Sequence, residues 1–114
     1  MSGGTLNWQV EDRDGARIVM PDGRVDESTA TAFTERLIAE AGAAQGKLVL
    51  DLSGIAYMSS RGLRALTLAQ REGTRAGSTL LLAKPNETMR EILAISRYDM
   101  IFKVTETIDE ALAA

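Results

Sequence analysis

Apolar residues switch between two spacings along this chain, and the switches mark its elements. From Thr5 to Val10 they alternate at period two, with Leu6, Trp8 and Val10 on one side, as in a half-buried strand. Asp14-Gly15 is a hairpin turn signal, after which Ala16 to Met20 resumes as a second strand. Pro21 has no N–H to give a ladder, so the strand must end, bulge or lie on an edge there. Gly23 to Asp26 reads as a short continuation leading into a helix.

Ala30, Phe33, Leu37, Ile38 and Ala41 then recur at helical spacing, predicting a helix over Thr29 to Ala43. Asp26 and Ser28 are candidate caps, and Gly42 or Gly46 is the stop. Lys47 to Leu52 is a short apolar run with a turn signal, Ser53-Gly54, just beyond it, the mark of a buried strand. Helical spacing returns from Ser60 to about Arg75, closed by Gly77, and Ser78 to Ala83 is a further buried strand. Pro85 and Asn86 open a third helix whose Met89, Ile92, Leu93 and Ser96 share a face. Ile101 to Val104 is a last short strand, and Thr107 to Glu110 is a capping box for a terminal helix ending near Ala114.

The predicted order is β-β-α-β-α-β-α-β-α. Strands alternating with helices imply a mainly parallel sheet with right-handed crossovers, entered through an antiparallel N-terminal hairpin. The expected class is α/β: one domain over residues 1–114, with a mixed, mostly parallel sheet and four helices. In such sheets functional groups gather beyond the carboxyl ends of strands. Two predicted loops meet that condition, one holding Asp26 and one holding Ser59 and Ser60.

Composition narrows the chemistry. The 114 residues contain no Cys and no His, which removes thiolate nucleophiles, zinc sites and histidine general bases. No Asp-rich calcium-type loop is present, so no metal and no cofactor is expected. A net charge of −3 and 4% aromatic residues argue against nucleic acid as partner. There is no 20-residue apolar run, and Met1-Ser2-Gly3-Gly4 has neither a basic nor an apolar signal region, so a cytoplasmic protein without a membrane span is expected.

Attention therefore falls on the strand, loop, serine and helix at 48–63. A serine at a helix start is a favoured cap, so Ser60 has an ordinary structural reading. The same position suits a phosphate: unpaired N–H groups and the positive end of the helix dipole favour its roughly −2 charge. Asp26, projecting from the neighbouring loop, would repel that charge. Spacing alone leaves both readings open. On the following helix, Leu63, Leu66, Ala69, Gln70 and Gly73 form the core side, while Arg61, Arg64, Arg71 and Arg75 lie opposite with Leu68 among them. Such a stripe is either a solvated face or, given an exposed leucine amid arginines, a docking surface for an acidic protein.

Other candidates carry less. Asp51 ends the central strand, as a receiver-domain phosphoacceptor does, but lacks the accompanying acidic pair and reads as a loop anchor. Gly42 to Gly46 lacks the lysine and serine of a phosphate-cradling loop. Met89 and Met100 read as core filler, and Glu35 and Glu40 as solvated helix positions.

The run Leu48-Val49-Leu50-Asp51-Leu52-Ser53-Gly54-Ile55-Ala56-Tyr57-Met58-Ser59-Ser60-Arg61-Gly62-Leu63 resembles the signature of STAS domains, especially bacterial anti-sigma factor antagonists. Gly23-Arg24-Val25-Asp26 is similar to that family's Gly-x-x-Asp, and Phe102-Lys103-Val104 with Glu110-Ala111-Leu112 extends the likeness over nearly the whole chain. The resemblance implies a non-enzymatic partner switch. An anti-sigma factor with serine kinase activity would bind the unphosphorylated chain and be released by phosphorylation of Ser60, and a phosphatase would reset it. Arg61, Gly62, Arg64 and Leu68 would form the docking surface, with Asp26 near the phosphosite. Two departures stand out: Ser59 replaces the motif's aspartate and Arg61 its second serine. Ser59 thereby becomes a competing acceptor. The family also implies an alternative, a constitutive scaffold or accessory subunit of a stressosome-like or lipid-transport complex, in which Ser60 only caps its helix.

Overall fold

In the computed structural model, which describes residues 5–114, the elements are β1 (Asn7–Arg13), β2 (Ala16–Val25), α1 (Ala30–Ala43), β3 (Gly46–Asp51), β4 (Ile55–Met58), α2 (Ser60–Ala76), β5 (Ser78–Ala83), α3 (Glu87–Ile95), β6 (Val104–Thr105) and α4 (Ile108–Ala113). Met1–Gly4, where the absence of a signal region was read, lie outside the described residues. The expected α/β class is present: β1 and β2 are antiparallel, every other pairing is parallel, and four α-helices pack on the sheet.

The sheet runs β1-β2-β3-β5-β6, with β4 paired to β2 off that path. Alternation along the central strands sorts side chains to two faces. Val19, Leu48, Leu50, Leu80 and Leu82 join the main core, to which the first three helices contribute Phe33, Leu66 and Met89 among others. Ile18, Val49 and Leu81 face the other way and meet Ala111 of α4. Thr107 and Glu110 form the expected capping box of that helix. Gly77 ends α2 in the left-handed region at φ 100°, where a side chain would be strained.

β2 is longer than expected because it serves two neighbours in succession. Its first half pairs with β3 as far as Val19, and its last residues pair with β4 from Gly23. The hairpin turn has positive φ at both Asp14 (53°) and Gly15 (78°), so hydrogen-bonded pairs alternate outward from Arg13–Ala16. Pro21 opposite Trp8 then falls in a pair that exchanges no hydrogen bond. The side where its N–H is missing is the gap between β3 and β4. The strand therefore runs on through the proline, and the irregularity comes between Gly23 and Arg24.

Other boundaries shift. β4 was not expected at all, a 3-10 turn at Tyr98–Met100 follows α3, and the last strand is Val104–Thr105 rather than Ile101–Val104. Helix α1 is capped by neither Asp26 nor Ser28: Thr29 holds the N-cap position and makes no side-chain cap bond. Gly42 lies within α1, and Gly46 opens β3.

Glu40 is a correction of a different kind. It is buried, not solvated: Arg17 of β2 donates to it at 2.5 Å and Arg36, one turn back, at 3.1 Å. Burial pushes its pKa up, but the hydrogen bonds from Arg17 and Arg36 and the charges of both overcome this and hold it below the ordinary glutamate value. A depressed folded pKa means Glu40 stabilises the fold above its unfolded value, and the contribution disappears as pH falls through the lowered one. We expect Glu40→Gln to cost about 1–3 kcal/mol at pH 7 in urea unfolding. The gap from the unsubstituted chain should close as pH drops below about 4; a gap that does not vary with pH would show that the charge contributes nothing.

Candidate functional site

Two loops leave the sheet side by side. Val25 of β2 and Met58 of β4 are in register, and the Ser59 N–H donates to the Val25 carbonyl at 2.8 Å. Beyond these strand ends the chain turns into Asp26 on one side and into Ser59 and Ser60 on the other.

Adjacent serines take different roles there. Ser59 is the N-cap of α2: its backbone is extended (φ −76°, ψ 172°) and its Oγ accepts from the Gly62 N–H at 3.3 Å. The expected cap role of Ser60 therefore belongs to Ser59. Ser60 is the first helical residue and is exposed. Its hydroxyl stands at the end of the helix where backbone N–H groups lack helical partners.

Gly62 explains why the helix starts where it does. A Cβ at this position would lie 2.5 Å from Met58 Cγ and 2.7 Å from Val25 Cγ1, so only glycine lets the first turn rest on the ends of β2 and β4. Gly62 is consequently buried, and its predicted place on a docking surface is corrected to a packing role underneath one.

The arginine face is present on the outside of α2. Arg61, Arg64, Arg71 and Arg75 are all exposed. Arg61 Nη2 donates to Thr31 Oγ1 of α1 at 3.0 Å, and Arg75 pairs with Glu72. Leu68 is half-buried rather than fully exposed, because it lies beside α1. Arg61, Arg64 and Leu68 join Thr31, Thr34 and Glu35 around an open groove of about 310 Å³ between the two helices. The α1 residues of this groove were missed, since no local spacing links positions 31–35 to 61–68.

Asp26 accepts from the Ser28 hydroxyl at 2.7 Å and the Ser28 N–H at 3.0 Å, with Arg24 Nε 3.7 Å away. The two Ser28 hydrogen bonds, helped by the Arg24 charge, hold its carboxyl below the ordinary aspartate value, so it is a carboxylate at neutral pH. Asp51 also has a structural task. Its Oδ1 accepts from the N–H and hydroxyl of Ser53, which anchors the loop between β3 and β4 as expected. Among the described residues no group of three acidic side chains could hold a metal ion, and no helix is long and apolar enough to cross a membrane.

This arrangement of strands, serine loop and helix matches the model of the STAS domain over residues 7–111. The chain belongs to the STAS domain family. Among its relatives is BtrV of Bordetella bronchiseptica, named as an anti-sigma factor antagonist, which is 31% identical over 89% of this chain and 87% of that protein. The crystal structure of an anti-sigma factor antagonist from Mycobacterium paratuberculosis superposes with a TM-score of 0.81 at 27% identity, covering 99% of this chain and 97% of that one. The Bacillus cell fate determinant SpoIIAA, an anti-sigma factor antagonist solved in unphosphorylated and phosphorylated forms, shares the fold. The first form gives a TM-score of 0.70 at 19% identity over 93% of each chain. The second gives 0.65 at 20% identity, over 94% of this chain and 97% of that one.

Within this STAS domain the two serines are separable by stability. Ser59→Ala removes the α2 cap and should cost about 1 kcal/mol in denaturant unfolding. Ser60→Ala should lie within about 0.5 kcal/mol of the unsubstituted chain, because an exposed position away from special features tolerates change. Gly62→Ala should cost about 1–3 kcal/mol through overpacking against Met58 and Val25. A larger loss from Ser60→Ala than from Ser59→Ala would contradict the assignment of the cap.

Proposed function

We propose that this STAS domain is an anti-sigma factor antagonist. It binds an anti-sigma factor with serine kinase activity through the start of α2, and it is released when that kinase phosphorylates Ser60. The observation that carries the reading is the division of labour between the serines. With Ser59 engaged as cap, Ser60 is left exposed in the first turn, next in the chain to Arg61 and one turn before Arg64, both of which line the groove. Ser59 is the alternative acceptor, but modification there would take away the group that holds the Gly62 N–H. BtrV and the Mycobacterium protein, both named as anti-sigma factor antagonists, support the antagonist role, and SpoIIAA is a relative in fold solved with and without phosphate.

The chemistry of the switch is a phosphoryl transfer carried out by the partner. The Ser60 oxygen bonds to the γ-phosphorus of ATP, ADP leaves, and the hydroxyl proton passes to a base on the kinase. Hydrolysis by a phosphatase returns the hydroxyl. The STAS domain itself binds and does not catalyse, and it works in the cytoplasm.

The product phosphate would sit at the N-terminus of α2, where free N–H groups and the dipole accommodate negative charge. Arg64, one turn further on, and Arg61 would pair with it. A face that offers arginines to an acidic partner then carries a phosphate of roughly −2, with the Asp26 carboxylate in the neighbouring loop adding to the repulsion. Binding is lost through charge, without unfolding.

The test is binding of Ser60→Ala and Ser60→Asp to the purified kinase, measured by calorimetry. We expect Ser60→Ala to bind as the unmodified chain does and Ser60→Asp to bind about tenfold or more weakly. Equal binding by both variants would contradict the switch and favour a constitutive accessory subunit in which the serine loop is only structural.

A further inference from the structure

Three large apolar side chains stand out of the surface near the end of α3. Ile95 is 84% exposed, Met100 79% and Ile101 58%. Met100 is therefore not the core filler its sequence position suggested. All three are close in the chain, because α3 ends at Ile95 and the 3-10 turn Tyr98–Met100 follows directly. An isolated exposed apolar residue is ordinary; three together on a small domain mark an interaction site.

The fold attaches this patch to the α2 surface. Asn86, which caps α3, donates its amide to the Ile55 carbonyl at 2.7 Å, so α3 starts against β4, the strand that leads into the serine loop. On α3, Arg90 reaches Glu106, and Leu93 and Ala94 line a recess with Phe102 and Val104, which turns that flank toward β6. Ile92 and Ile95 lie on the other flank at about 100° per residue. The 3-10 turn is held to α2 directly: Tyr98 Oη lies 3.2 Å from Thr67 Oγ1, and the Tyr98 ring stacks on Phe102 at 5.8 Å. Ser60, Arg64, Thr67 and Arg71 follow one another at helical spacing down the outer side of α2. Thr67 is thus the point where the serine stripe meets the apolar turn, about 10 Å along the helix from Ser60.

Charge indicates what covers the patch. Among the described residues, Arg61, Arg64, Arg71 and Arg97 form no ion pair, whereas most of the other basic side chains do. Glu35, in the groove beside Arg61 and Arg64, and Glu91 and Asp99, close in the chain to the apolar turn, form no ion pair either. The positive charge lies on the outer stripe of α2, where Arg64 and Arg71 flank Thr67 with no carboxylate among them, on a chain whose total charge is −3.

We propose that Ile95, Met100 and Ile101 form a second docking point for the protein that acts on Ser60, taking an apolar segment of that partner flanked by carboxylates. This rests on the function proposed above and extends it. The partner is anchored at the 3-10 turn while its acidic groups meet the arginines of α2, so Ser60 is presented two turns of helix away from Thr67, where the turn is tied to α2. Anchor and target being separate, loss of the anchor weakens binding without altering the reacting hydroxyl.

The test uses the full chain and the purified partner kinase, comparing the unmodified protein with the triple variant Ile95→Ser, Met100→Ser, Ile101→Ser. These positions are exposed, and an unchanged thermal midpoint verifies folding. We expect about a tenfold or greater rise in Kd and a higher KM for phosphorylation of Ser60, with kcat retained. Equal Kd and KM for both proteins would overturn the second docking point while leaving the switch standing. No binding by the unmodified chain would overturn both. Concentration-dependent dimerisation of the unmodified chain that the triple variant abolishes would assign the patch to a second copy instead, and that too would overturn the proposal.

Discussion

The first turn of α2 lies directly on the ends of β2 and β4, and that close approach fixes the geometry of the serine loop. It depends on Gly62, whose missing side chain leaves room for Met58 and Val25. With the turn seated there, the Ser59 N–H is held by Val25 and its hydroxyl by the cap, and the next residue has nowhere to point but outward. Packing beneath the helix thereby determines which of two chemically identical hydroxyls is presented to solvent.

The platform under that turn exists because β2 is shared. One strand ten residues long pairs with β3 through its first half and with β4 at its end, which brings the Asp26 loop and the serine loop to one edge of the molecule. Pro21 is compatible with this because it sits where one neighbour has stopped and the next has not begun. At the other end of the same strand, Arg17 reaches across to Glu40 and ties β2 to α1. Helix α1 in turn supplies Thr31 to Arg61, so the wall of the groove and the strand that positions the loop are parts of one connected support.

Much of the fold was legible because its determinants are local. Ser78–Ala83, the Gly77 stop, the Asn86 start of α3 and the Thr107–Glu110 box each depend on a few adjacent residues, and each lies where the spacing placed it. β4 was not legible: four residues directly after a turn are too few for a period, and their partner strand lies about thirty positions earlier. Glu40 was misread for a similar reason, since its partner Arg17 is 23 residues away. The serine loop was found by its motif, but assigning the cap needed a distinction of one residue that only Gly62's packing decides. Ile101 was read into a strand, yet the chain there is occupied by the end of the 3-10 turn, which leaves it and Met100 on the surface.

The central claim is that the cap belongs to Ser59 and the reactive hydroxyl to Ser60. It is tested most directly by incubating the chain with its partner kinase and ATP and locating the phosphate by fragmentation mass spectrometry. The account predicts one phosphate, on Ser60, with Ser59 unmodified. Phosphate on Ser59 with Ser60 untouched, or on neither, would contradict it.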